Sequence, residues 1–281
     1  TLKKMKGGWL RPHWGDTELI LSLIDLTARR QGIGDLMAEG PYRWAKDLGE
    51  DALYWAVQNK KMFVGGGDRR VQKGGILNHM VSNRGPDHLR GSPSLEFYGY
   101  TGDQRIEADW NKYVGEPELF REAVKLTSYQ GKAPLVIWQE TLRCLSDSFG
   151  VCSFNYGNWP NTFVYPEDFA ELYSAVTGEE VTGQDMSLAA ERIINIEKAI
   201  NIREGWTRDE DQPPERWVKE AKPDGVFKGE RCHLDKYNVM LSDYYRRRGW
   251  NPESGLPTRA RLESLGLQEI ADDLANLDRL G

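Results

Sequence analysis

Leu188-Ala189-Ala190-Glu191-Arg192-Ile193-Ile194-Asn195-Ile196-Glu197-Lys198-Ala199-Ile200-Asn201-Ile202 decides the fold class. Ala189, Ile193, Ile196 and Ile200 recur at spacings of three and four, the period of a helix with one apolar face. Gly205 lies beyond its end, where a helix stop belongs. Working outward, the same period recurs along the chain. Asp16 is placed to cap a helix that runs to about residue 30, with Leu19, Ile20, Leu23, Ile24 and Thr27 on one face and Gly32 and Gly34 after it. Further helices are expected over residues 117–126, 134–145 and 168–176. Toward the end come 236–248 with Asp235 as cap, 259–265 capped by Thr258, and about 267–280. Alternating β-branched runs are nearly absent, and residues 61–64 are the best short strand candidate. The expected fold class is mainly α.

Between these helices lie stretches rich in Gly, Pro, Trp and Tyr, at 65–91, 92–115, 150–165 and 207–230. They read as long irregular segments, which in a compact domain usually wrap something or line a site. The composition shifts near residues 56–63, the candidate domain boundary. Residues 1–60 are expected to form the end of one helical domain and 61–281 a second.

The 281 residues carry 37 Lys+Arg against 43 Asp+Glu, a formal charge of −6, which argues against a general nucleic-acid binder. The 39% hydrophobic content supports a packed core, yet no run reaches a membrane span of about 20 residues. No charged-then-apolar leader opens the chain, and three cysteines are too few for a disulfide framework, so a reducing cytoplasmic location is expected. Thr1 stands where an initiator Met would, and the chain is expected to be a processed product, a fragment or the later part of something longer.

Few residues are candidates for chemistry. Cys152 ends Asp147-Ser148-Phe149-Gly150-Val151-Cys152, just past an apolar helix. There it is either a ligand to a buried inorganic centre or a small core residue. No Cys-x-x-Cys occurs, so Cys144, Cys152 and Cys232 cannot make a four-cysteine cage; any further cluster ligands must come from another polypeptide. His88 lies in Ser82-Asn83-Arg84-Gly85-Pro86-Asp87-His88-Leu89-Arg90-Gly91. Arg84 and Arg90 on either side favour a neutral imidazole able to pass protons near neutrality, and both can grip phosphate or carboxylate. The plainer alternative is a surface loop of solvated charges. His79 lies nearby without a motif. Gly65-Gly66-Gly67-Asp68 lacks the frame of a phosphate loop and reads as a turn. Glu191, Glu197 and Glu204 read as solvated helix carboxylates.

Taken in order, several segments resemble the tungsten- or molybdenum-dependent aldehyde ferredoxin oxidoreductase family. They are His13-Trp14-Gly15-Asp16 with the glycine-rich run 32–40, the loop 82–91, Asp147–Cys152, the helix 191–207 with its Trp206-Thr207 end, Arg247-Arg248-Gly249-Trp250 and the 262–267 tail. The resemblance implies a bis-pterin tungsten (or molybdenum) cofactor beside a [4Fe-4S] cluster. It implies that Asp147 bonds a pterin ring, that Arg84 and Arg90 help hold the cofactor, that Cys152 is the fourth cluster ligand, and that His88 moves protons near the metal. The family's amino-terminal β domain, its Cys-x-x-Cys-x-x-x-Cys run, its earlier pterin-binding Asp motif and its active-site Glu are absent from this sequence. A separate polypeptide is therefore expected to supply them, with ferredoxin or an iron-sulfur subunit taking the electrons. The implied activity is oxidation of aldehydes to acids. Alternatives are a benzoyl-CoA-reductase-type subunit and a helical scaffold that has lost the cofactor. Phe97, Tyr98, Tyr100, Trp110 and Tyr113 read as an aromatic wall for a larger substrate.

Overall fold

The computed structural model describes residue 13 and residues 15–65, 67–98, 104–152 and 164–281. Trp14, Gly66, Tyr100 and residues 153–163 of the expected 150–165 loop lie outside these. The chain is mainly α-helical, as expected, and its described strands are only two dipeptides.

The chain divides into two compact units, residues 1–56 with 61–63, and residues 57–60 with 64–281. The first holds α1 (Thr17–Ala28), α2 (Ile33–Ala38), α3 (Gly40–Leu48), α4 (Glu50–Trp55) and strand β2 (Met62–Phe63). Asp16 caps α1 by accepting from the Leu19 amide at 3.0 Å. Gly34 is required because a Cβ there would lie 2.1 Å from the Leu26 carbonyl of α1. Sequence reading missed α2, α3 and α4. They are short, and only Ile33, Gly34 and Ala45 among their described residues are buried, so no stripe marks them.

The second unit holds β1 (Gln58–Asn59), α5 (Lys73–Val81), α6 (Ser94–Tyr98), α7 (Gln104–Tyr113), α8 (Phe120–Ala123) and α9 (Lys132–Ser148). After these come α10 (Pro166–Thr177), α11 (Gly183–Arg203), α12 (Glu215–Lys219), α13 (Leu234–Arg248), α14 (Arg259–Ser264) and α15 (Gln268–Asn276). Helix α9 is central: it packs against α5, α8, α10, α11 and α13. Thirteen of its seventeen residues are buried, so its interior polar groups need protein partners.

Several expectations are corrected. The 65–91 stretch contains α5, whose nine residues are all buried, so no amphipathic stripe betrays it. The 92–115 stretch contains α6 and α7, and 207–230 contains α12 with a 3-10 turn, Arg208–Asp211. Asp235 is not a cap: α13 starts at Leu234, with His233 at its N-cap. The buried side of α11 includes Met186, Ala190, Ile194, Asn195, Lys198 and Ile202, while Ile200 of the expected stripe is 52% exposed. Glu191 is no solvated carboxylate. It pairs with the fully buried Arg248 and with Arg261, and Arg248 also reaches buried Glu140. Trp110 lines no substrate wall; it is a core residue beside Phe120 and Trp138.

Candidate functional site

The C-terminal end of α9 organises the candidate site. The helix stops at a Schellman motif: the Val151 amide bonds the Ser146 carbonyl at 3.1 Å and the Gly150 amide bonds that of Asp147 at 3.2 Å. Gly150 has φ +67°, a conformation that L side chains rarely adopt. The spacing Asp147-x-x-Gly150-x-Cys152 is therefore the signature of a helix stop. It leaves Asp147 in the last turn and delivers Cys152, an exposed free thiol, just beyond it. A carboxylate there faces the negative end of the helix dipole and gains from a cation. Arg90 supplies one, donating to Asp147 Oδ2 at 3.0 Å and pairing with Glu197 Oε1 of α11 at 3.1 Å.

The 82–92 loop runs across this end of α9 and is pinned along its length. The Asn83 side chain donates to the Ile194 carbonyl at 3.2 Å, and its own carbonyl accepts from Asn201 at 2.7 Å. The Gly65 amide donates to the Pro86 carbonyl at 3.2 Å, and Asn78 Oδ1 accepts from the Ser92 amide at 3.2 Å. Asp87 turns the loop, accepting from the Leu89 amide and from Arg84 at 2.7 Å each.

His88 sits half-buried in this frame, its Nδ1 buried without a hydrogen-bond partner among the described residues. Burial lowers its pKa first, then the positive charge of Arg69; Asp87 opposes them, and Arg143 and Arg84 add to the lowering. Burial and Arg69, rather than the flanking arginines expected from the sequence, do most to favour the neutral ring: Arg84 contributes least, and Arg90 is turned away to its two carboxylates. Sequence reading missed Arg69 and Arg143. Both are buried, and Arg143 is one helical turn before Asp147 on the same face of α9, a spacing visible in the sequence. It also missed His79, whose ring stacks on that of His88 at 6.2 Å and 24°. The His79 nitrogens face the Gly75 carbonyl at 2.8 Å and the Gly65 carbonyl at 3.2 Å. Burial and Arg69 bring its pKa down to about 4.

Chemically, this end of α9 offers an acceptor carboxylate, a guanidinium whose buried Nε has no hydrogen-bond partner among the described residues, an imidazole with a nitrogen likewise unpartnered among them, and a thiol. Among the described residues no three His, Cys, Asp or Glu side chains gather as a metal site.

The profile of "Aldehyde ferredoxin oxidoreductase, domains 2 & 3" matches residues 1–267. The chain belongs to the aldehyde ferredoxin oxidoreductase family. It is 32% identical over 264 residues to the tungsten-containing aldehyde ferredoxin oxidoreductase of Pyrococcus furiosus, covering 92% of this chain and 38% of that protein. The enzyme of the same description from Thermococcus kodakarensis is 30% identical over 263 residues, again 38% of its length. A third relative, the WOR-like subunit of an aliphatic sulfonate oxidoreductase from Pyrococcus furiosus, is 24% identical over 280 residues. The chain thus spans under two fifths of the length of these aldehyde ferredoxin oxidoreductase relatives and aligns with the family's second and third domains. Among solved structures, the BamBC active-site complex of benzoyl coenzyme A reductase with 1,5-dienoyl-CoA superposes with TM-score 0.70 at 21% identity. It covers 96% of this chain and 42% of that one, a likeness of fold. No helix among the described residues is long and apolar enough to cross a membrane.

Proposed function

We propose that this chain is the carboxy-terminal part of a cytoplasmic tungsten- (or molybdenum-) pterin oxidoreductase that converts aldehydes to carboxylic acids. Residues 1–60 would end its second domain and 61–281 form its third. The observation that carries the reading is the meeting of the Asp147–Arg90 pair with the His88 loop at the Gly150 helix stop, in a chain of this family. The residues fit a pterin edge, whose amino and ring N–H groups and keto oxygen alternate as donors and acceptors. Asp147 would accept, and Arg90, with its orphan Nε, would donate. Arg84 would add a second guanidinium at the same loop. The group, when bound, would supply the two-electron redox chemistry.

The chain's own contribution is binding, placement and proton handling. Oxidation of an aldehyde with water to a carboxylic acid releases two electrons and two protons. A neutral His88 is suited to take one of those protons at a ring nitrogen. Cys152, beyond the helix stop, would join cysteines of the missing part around a [4Fe-4S] cluster that passes electrons singly to ferredoxin or an iron-sulfur subunit.

His88→Asn, assembled with the missing part, tests the reading. It should keep tungsten and iron but lose roughly 10²–10⁴-fold in aldehyde turnover. Unchanged turnover at full metal loading removes His88 from the reaction. Offering aryl-CoA esters beside aldehydes to the wild-type assembly separates the benzoyl-CoA-reductase-type alternative, and an assembly inert to both favours a scaffold.

A further inference from the structure

Lys60 is the most unusual residue near the loop without being part of it. Its side chain is fully buried, with an ammonium that donates to the Met80 carbonyl and, at 3.0 Å, to the Ser82 carbonyl. Those carbonyls end α5 and begin the loop that carries Arg84, His88 and Arg90. Asp211, itself wholly buried, lies 2.9 Å from the Lys60 nitrogen and offsets part of the burial that pulls the lysine's pKa down. Asp211 is also tied to Lys198 of α11 at 3.1 Å and to the Tyr245 hydroxyl of α13, and its backbone carbonyl accepts from the Tyr237 hydroxyl at 2.6 Å. Trp206 offers its ring face to Lys60 at 4.9 Å.

The backbone adds an independent observation. Lys60 and Lys61 follow one another with φ +53° and +61°, where Asn and Gly are the usual occupants. A lysine at φ above zero is disfavoured, and such strain persists where the surroundings over-determine it. Both lysines share the positive φ of the two-residue turn between residues 59 and 62, and at position 60 the nitrogen with its three neighbouring oxygens helps to hold that turn. Lys61 has a positive φ as well, but its exposed side chain has no comparable buried role.

We infer that Lys60 is a positioning residue for the His88 loop: it transmits the fixed Asp211–Lys198 cluster to the Met80 and Ser82 carbonyls and so sets where the loop leaves α5. This rests on the proposed function only in giving the loop catalytic significance; the mechanical role stands apart from it.

Two substitutions separate side chain from backbone. Lys60→Gly relieves the strained turn but removes the ammonium, and Lys60→Met keeps volume without donors; Lys61→Gly is the control. Amide exchange is followed in the full chain, assembled with the missing part, for residues 82–91, with α13 as internal reference. Both Lys60 variants should speed exchange in 82–91 by about ten- to a hundredfold, the scale of losing charge-assisted bonds, and leave α13 unchanged. Lys61→Gly should change neither. Exchange in 82–91 that stays at the wild-type rate overturns the inference. So does equal acceleration of the loop and α13, which makes Lys60 a general core residue. Turnover on the same preparations distinguishes the two readings. A released loop with lowered kcat at full metal content supports both. A released loop with unchanged kcat keeps the positioning role and counts against the His88 site.

Discussion

Asp147 occupies an unfavourable place for a carboxylate, the last turn of α9, and its side chain is 41% exposed. Its ion pair with Arg90 is worth at most about 1 kcal/mol at such exposure, so stability alone gives little reason for it. Asp147→Ala should therefore unfold within about 1 kcal/mol of wild type, yet purify without pterin and tungsten; normal cofactor content would refute its binding role. His79 makes the opposite trade. Its pKa of about 4 against an ordinary 6.5 means that the folded chain refuses a proton that the unfolded chain accepts between those values. Stability from this group is present above about pH 6.5 and is lost as pH falls toward 4, amounting to about 3 kcal/mol. Denaturant unfolding across that range should show the loss in wild type and a flatter profile in His79→Gln. Equal slopes would mean that His79 titrates normally. Nothing in the sequence around His79 signals this, because its partners are two backbone carbonyls and a ring nine residues away.

At the scale of elements, the helix stop is where sequence and structure agree most closely. Asp147-x-x-Gly150 could be read as a motif by resemblance, and the geometry supplies its physical cause. A Cβ at Gly150 would meet no atom within 4 Å, so the demand there is conformational. Gly150→Ala should cost about 1–2 kcal/mol in denaturant unfolding, without the larger loss of a steric clash. A neutral result would show that the αL stop is dispensable. Element class was legible where a longer helix has one face apolar and the other wet, as in α10, though the equally two-sided α7 was read as irregular. It failed for α5, buried all round, and it misplaced the inner face of α11. That face carries Glu191, Asn195 and Lys198, each satisfied by a distant partner: Arg248, Trp250 and Asp211. A pattern that counts only apolar residues turns such a helix by one position. The same blindness hid Arg143, whose burial is intelligible only once the 82–92 loop lies over α9.

At the scale of the molecule, the second unit has its own cores around α5, α9, α11 and α13. In the first unit α1 has no buried residue and exposes Ile20, Leu21 and Ile24. At the candidate site Asp147, His88 and Cys152 are brought to one end of α9, and among the described residues no three His, Cys, Asp or Glu side chains gather as a metal site. The chain spans under two fifths of the length of its tungsten-containing relatives, and the proposed function has it act with further polypeptide. The most direct test of this reading is elemental analysis of the native assembly that contains this chain, beside the same assembly carrying Cys152→Ala. The wild-type assembly should hold tungsten or molybdenum together with iron, and Cys152→Ala should lose the iron. A folded native assembly with neither tungsten nor molybdenum, or a Cys152→Ala assembly with its full iron, would contradict it.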